Sequence, residues 1–183
     1  MTPMNDEYAG FHKKIDDSNR RLDDLLTANA EQEEIELRRN NIILYRVEES
    51  QKMLTTERHT EDVRTCEQFL LALRAEVDQD DIRKVTRLGK RDKENTTSTP
   101  RPILVQLSSR HVKNLIMESL YKIKSLDVKF QQITVAHDMT KKQREECKKL
   151  VAQAREKSAA SGDWIYKIRG PPGQWKIMQM NRN

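Results

Sequence analysis

Apolar residues recur at three- and four-residue intervals through positions 11–38. Phe11, Ile15, Leu22 and Leu25 fall in line with Ser18, and Leu26 widens the stripe. The stretch holds no Gly or Pro, and it predicts one helix. Beyond Leu26 the seam turns polar at Asn29, Gln32 and Glu36. Two good heptads predict a short coiled coil, in which a polar seam residue such as Asn29 can set register and strand number. The competing reading is a lone amphipathic helix folded back on the next domain. A helix this polar is marginal alone in water, so either reading gives it a partner.

After Asn40-Asn41 the pattern changes. Residues 42–47, rich in apolar and β-branched side chains, predict a strand. Thr55 or Thr56 is placed to cap a helix running to about Val77, with Val63, Cys66, Phe69, Leu70 and Leu73 at helical spacing. Residues 82–88 predict a second strand closed by Gly89, and the polar stretch 91–100 a loop. Residues 103–107 predict a third strand. Ser108 or Ser109 then caps a helix that buries Val112, Leu115, Ile116, Leu120 and Ile123, and 126–130 predicts a short fourth strand. The order is β-α-β-β-α-β, a four-stranded sheet with two helices on one face and the other face open. In such sheets the open face binds single-stranded RNA.

A smaller unit follows. A strand at 133–135 precedes a basic helix capped by Asp138 or Thr140 and ended at 161–163. Strands at 164–168 and 175–178 flank the turn Gly170-Pro171-Pro172-Gly173. The predicted class is α+β, in three parts: a helical segment 1–38, a sandwich domain 39–130 and a small C-terminal α/β domain 131–183, expected to bind nucleic acid through its basic helix.

Charge changes the picture more than composition does. Residues 1–81 carry 11 Lys/Arg against 20 Asp/Glu, a net of −9, whereas residues 82–183 carry 23 against 9, a net of +14. Such asymmetry points to a polyanion partner for the basic half, with a merely solvated basic surface as the bland alternative. With 34% charged residues and a mean hydropathy of −0.89, small domains with thin cores are expected. Cys66 and Cys147 lie too far apart in sequence to suggest a disulfide framework or zinc site. No run is long and apolar enough for a membrane span, and the first residues lack the apolar centre of a signal peptide. A soluble, intracellular chain is therefore expected.

Arg83, Lys84, Arg87, Lys90, Arg91, Lys93 and Arg101 line the second strand, its loop and the start of the third strand. Together they make a track for a phosphate backbone, which Arg38 and Arg39 could extend. On the basic helix, Lys141, Arg144 and Lys148 share a face at three-four spacing, which suits a strand backbone and equally an ordinary solvated helix. Stacking on the sheet is expected to be weak, because the first strand offers Tyr45 and the third no aromatic residue. Trp164, Tyr166 and Trp175 read as core rather than as a stacking platform. No His or Cys pair has metal-ligand spacing, and no Gly-rich phosphate loop, nucleophile elbow or paired-carboxylate pattern is present. The chain is expected to be no enzyme and to need no metal, cofactor or small-molecule substrate.

An ordered series of segments carries a resemblance. It runs Arg38-Arg39-Asn40-Asn41-Ile42-Ile43, Arg87-Leu88-Gly89-Lys90, Arg101-Pro102-Ile103-Leu104-Val105 and Ile133-Thr134-Val135-Ala136-His137-Asp138-Met139-Thr140, with Arg144 soon after. Over about residues 36–180 the chain resembles the first-open-reading-frame protein of LINE-type (non-LTR) retrotransposons. The resemblance implies a coiled-coil trimer, an RRM-like domain and a small C-terminal domain; the chain departs from the family in its much shorter coil, which reads as truncated at the N-terminus. It also implies coating of the element's RNA, and of single-stranded DNA, as a nucleic-acid chaperone in a cytoplasmic or nuclear ribonucleoprotein. Carried over by motif, the nucleic-acid contacts fall on Arg39, Asn41, Arg87, Lys90, Arg91, Arg101, Lys122, Lys124 and Arg144. The alternative is a coiled-coil adaptor whose basic half serves only solubility.

Overall fold

The computed structural model describes residues 3–73, 77–91 and 99–181. Lys93, most of the 91–100 loop and the expected helix end at 74–76 lie outside them. The chain divides into two compact units, Met1–Leu37 and Arg38–Asn183. The first is the body of one helix, α1 (Pro3–Arg38). Its predicted stripe is in solvent, with Phe11 64%, Ile15 42%, Leu22 55%, Leu25 68% and Leu26 60% exposed.

The second unit is mixed α and β. Its elements are β1 (Asn41–Tyr45), α2 (Thr55–Ala72), β2 (Ile82–Arg87), β3 (Ile103–Leu107), α3 (Arg110–Ser119), a 3-10 stretch (Leu120–Ser125) and α4 (Val128–Gln131). After these come β4 (Thr134–His137), α5 (Lys141–Ala160), β5 (Trp164–Arg169) and β6 (Lys176–Asn181). The first four strands form one antiparallel sheet in the order β2-β3-β1-β4, and β5 and β6 pair as a hairpin.

Strand alternation decides which side chains meet. Ile42, Leu44, Val85, Ile103, Val105 and Leu107 lie on one face and are buried with Cys66, Phe69, Leu70 and Leu73 of α2 and Val112 and Ile116 of α3. Both helices therefore cover the same face. Ser109 caps α3 by accepting the Val112 N–H at 3.2 Å. The N-cap of α2 is Leu54, not the expected Thr55 or Thr56. That end is held instead by Arg58, which donates to the Lys52 carbonyl at 2.8 Å and to Thr55 Oγ1 at 2.8 Å.

Two expectations are corrected. The fourth strand is not 126–130 but Thr134–His137, in register with β1 through Ile42–His137 and Tyr45–Thr134. The sheet thus takes its last strand from beyond residue 130, the boundary expected between the two C-terminal parts. The reason is helical spacing: Leu126, Phe130 and Ile133, four and three apart, all meet the core. Phe130 stands edge-on to Phe69, ring centroids 5.7 Å apart.

The sheet face away from α2 and α3 is also less open than expected. Asn41 and Ile43 point to it, and both are buried. Ile43 sits between Leu104 and Ala136 in register, so its apolar neighbours shield it on a central strand. Lys84, Tyr45 and Thr134 remain exposed on that face.

Candidate nucleic-acid interface

Register sorts the predicted contact residues into two groups. Asn41 of β1 pairs with Gln106 near the end of β3, whereas Ile103 at the start of β3 pairs with Arg87. Arg39, Asn41 and the start of α5 therefore lie at one end of the sheet. Arg87, Lys90, Arg91 and Arg101 lie at the other, at least about 10 Å away at roughly 3.3 Å per residue. α3 starts at the Asn41 end. The 3-10 stretch after it, with Lys122 and Lys124, comes before β4, which begins opposite Tyr45 at the far end. Those two lysines thus lie toward that same end, in the layer of α2 and α3.

The Arg87 side chain is only 8% exposed, on the helix-covered face. Its Nε and Nη2 donate to the Asp62 carboxylate at 3.1 and 2.8 Å, its Nη1 to the carbonyls of Val47 (2.7 Å) and Arg101 (2.6 Å), and its Nη2 also to Glu48 O (2.6 Å). All five N–H groups are thereby used inside the fold. Sequence could not show this, because an arginine on a strand reads as surface until a carboxylate is found beneath it.

Arg101 makes a two-pronged pair with Glu49, from Nε at 3.1 Å and Nη2 at 2.9 Å, and its Nη1 donates to Gly89 O at 3.0 Å. Glu49 also accepts the Arg101 N–H at 2.9 Å. These bonds from Arg101 hold the Glu49 carboxyl down at a pKa of about 2, against the pull of burial. Arg91 is half-buried and donates to Ser50 O at 3.3 Å. Lys90 is exposed, Lys124 is exposed, and Lys122 is half-buried with its ammonium 5.8 Å from the Tyr121 ring centre.

At the other end a buried polar knot ties three elements together. Asp138 accepts from Arg38 Nη1 at 2.7 Å and from Asn41 Nδ2 at 3.0 Å, and is 8% exposed. Asp138 therefore does not cap α5. Thr140 does, in a reciprocal box: its Oγ1 accepts the Gln143 N–H and Gln143 Oε1 accepts the Thr140 N–H, both at 3.2 Å. Lys113 of α3 is 6% exposed and donates to Arg39 O at 2.9 Å. Burial pulls its pKa down to about 8, offset in part by Asp138. His137 lies beside this knot, with Nδ1 buried and unbonded, and burial with the Lys113 charge pulls its pKa to about 4.

Arg39 is exposed next to this knot, as are Lys141, Arg144 and Lys148 along α5. Lys141 faces Glu145 at 4.0 Å, and Arg144 donates to Met139 O at 3.1 Å. Asn41, by contrast, is inside. The exposed cations at the two ends are thus Arg39, Lys141, Arg144 and Lys148 on one side, and Lys90 and Lys124 on the other, with Arg91, Arg101 and Lys122 half-buried among the latter. Exposed Lys84, on the edge strand β2, is level with Asn41 through Gln106 and so lies at the first of these ends.

No family model and no curated protein matches the chain. Among the described residues no group of His, Cys, Asp and Glu is placed to hold a metal ion. No helix there is long and apolar enough to cross a membrane.

Four things escaped sequence reasoning: the Asp138 knot, the Glu49–Arg101 pair, the cations Lys167, Arg169 and Lys176 on β5 and β6, and the burial of Arg87 against Asp62. The first two join residues about 100 and 52 positions apart. The third was legible from strand alternation once the turn at Gly170–Gly173 had been placed.

Proposed function

We propose that the protein binds single-stranded nucleic acid, RNA foremost, as the chaperone of a LINE-type retrotransposon ribonucleoprotein, without catalytic activity of its own. What supports this is two groups of surface cations at the ends of one sheet, joined by a face carrying Lys84 and Tyr45. A strand laid along that face meets phosphate partners at both ends and leaves its bases toward the sheet. The β-α-β-β-α-β order and β2-β3-β1-β4 pairing are those of an RRM-like domain and favour the same reading. Arg87 and Asn41 act within it as supports for the loop and the strand rather than as phosphate contacts. The exposed stripe of α1 supports assembly into a homo-oligomer, a trimer by the family resemblance, which would multiply modest affinity per protomer.

The same stripe favours a second reading, a coiled-coil adaptor with no nucleic-acid role. Filter binding of a labelled single-stranded oligonucleotide across a salt series separates the two. The proposed function expects a steep log–log slope, and substituting Lys90, Lys122, Lys124 and Arg144 by Ala should flatten it by roughly 0.7 for each phosphate no longer neutralised. No retention at low salt would leave the adaptor reading.

A further inference from the structure

The two outer strands of the central sheet are not guarded alike. β2 and β4 each pair on one side only. An unpaired strand edge invites another strand, and proteins blunt it with charge, proline or a bulge. β2 carries exposed Arg83 and Lys84 and an irregular register between Ile82 and Lys84. β4 has none of these devices. Its sequence Thr134-Val135-Ala136-His137 holds no Lys, Arg, Asp, Glu or Pro, and its pairing with β1 runs unbroken. His137 is neutral at pH 7, because burial and the Lys113 charge hold its pKa at about 4. Among the described residues no backbone group bonds to the outer side of β4.

The place where β4 begins has two further features. Thr134 lies opposite Tyr45, and the next residue, Arg46, has φ +62°, a left-handed conformation uncommon for a residue with a Cβ. Arg46 also lines a cavity of about 520 Å³, within the size range of ligand sites. Buried Val47, Phe130 and Ile133 give the cavity an apolar lining, and Ile133 directly precedes β4. Three of its carboxylates are already satisfied: Arg87 donates to Asp62, Arg101 to Glu49, and the Ser50 hydroxyl to Glu61. Its cations Arg46, Lys52 and Lys129 are exposed and make no ion pair with a described residue, which leaves Glu48 to offset one of three. The start of β4 thus has free positive charge beside an apolar hollow.

We infer that β4 is a docking edge for an extended peptide of a partner protein: an uncharged strand adds to Thr134–His137, one large side chain enters the cavity, and acidic residues at the strand's end meet Arg46 and Lys129. Because β4 is short, the cavity and the charges supply anchoring that main-chain bonds along four residues do not. A second copy of the chain fits this edge poorly. Its own β4 runs on into Asp138, whose carboxylate is buried and held by Arg38 and Asn41, so it brings no free anion to Arg46. A nucleic acid lacks the strand-spaced N–H and C=O groups with which an edge pairs. The inference goes beyond the proposed function, which makes no use of this edge.

The test uses the full chain and synthetic fluorescein-labelled peptides, read by fluorescence polarisation. One peptide alternates Val and Thr up to a Tyr and closing Asp residues. A second closes in Lys instead, and a third has Pro at alternate positions. The first should bind, the second about tenfold more weakly, as for two ion pairs lost to repulsion, and the third not at all. Thr134→Lys gives β4 the guard that β2 has, and should weaken the first peptide about tenfold with the thermal midpoint unchanged. Arg46→Gly should raise the midpoint, because glycine accepts the left-handed conformation, while narrowing the preference for Asp over Lys. A merely structural role for Arg46 would lower the midpoint instead. Wild type that binds none of the peptides, or binds the Pro-bearing one as well as the first, overturns the inference and leaves the proposed function standing. Thr134→Lys that tightens retention of a labelled oligonucleotide, with peptide binding as before, also overturns it and gives this end of the sheet to nucleic acid.

Discussion

Glu49 shows how a single carboxylate can fix a loop. It accepts three N–H groups of Arg101 and so ties the segment after β1 to the start of β3. Its folded pKa of about 2 lies below the ordinary 4.5. Between those values the unfolded chain holds the extra proton, so stability rises with pH across that window and is lost as pH falls through it. Glu49→Gln should lower the unfolding free energy by about 1–2 kcal/mol at pH 7 and flatten this acid limb, as read by urea denaturation. His137 and Lys113 work in the same direction higher up. Each is depressed in the fold, to about 4 and about 8, so stability should climb again from pH 4 to 6.5 and from pH 8 to 10.5. Lys113→Met should erase the alkaline rise. Arg87 is a support rather than a surface group. Arg87→Ala leaves Asp62 and three carbonyls without their partner, and should cost about 3–5 kcal/mol. The slope of any salt titration should stay as it was. Arg87→Lys should rescue little, because an ammonium cannot replace a five-donor fork.

Among the elements, α5 depends most visibly on its first turn. Its capping box is fully buried at Thr140 and nearly so at Gln143. Thr140→Ala should therefore destabilise by about 1–2 kcal/mol, measured as a drop in the unfolding midpoint at constant m-value. The hairpin depends on its turn. Gly170 has φ +112°, and a Cβ there would stand 2.5 Å from the Gln174 carbonyl oxygen. Gly170→Ala should unpair β5 and β6. Most of these elements were legible in the sequence. β1, β2, β3, α2, α3 and α5 each show a local period that no tertiary contact reverses. The exception is 126–130, where a short apolar run fits a strand or a helical turn equally well. What resolved it was Phe69, more than fifty residues earlier, against which Phe130 packs. Trp164, Tyr166 and Trp175 met the expectation of core only halfway: Tyr166 and Trp175 are half-buried and Trp164 is 39% exposed. A two-stranded ribbon on one helix has no second layer to close over them.

Over the whole molecule, the long α1 stripe and the cation groups call for separate tests. Leu22→Asp with Leu25→Asp places two charges on the exposed seam and should reduce any oligomer to monomer in sedimentation equilibrium, leaving the second unit folded. If assembly raises affinity by multivalency, the same variant should bind oligonucleotides more weakly with an unchanged base preference. Charge asymmetry, the periodicity of each helix and strand, and the order of elements were determined by the sequence alone, because each depends on residues near one another along the chain. Pairing across distance belonged to the tertiary structure. It drew Arg87 and Asn41 inward, set Glu49 against Arg101, recruited Thr134–His137 as the sheet's last strand, and parted the cations into two ends of a sheet. Desolvation is the reason: a charge near apolar strands must find a partner or stay in water, and only the folded chain decides which partner comes within reach.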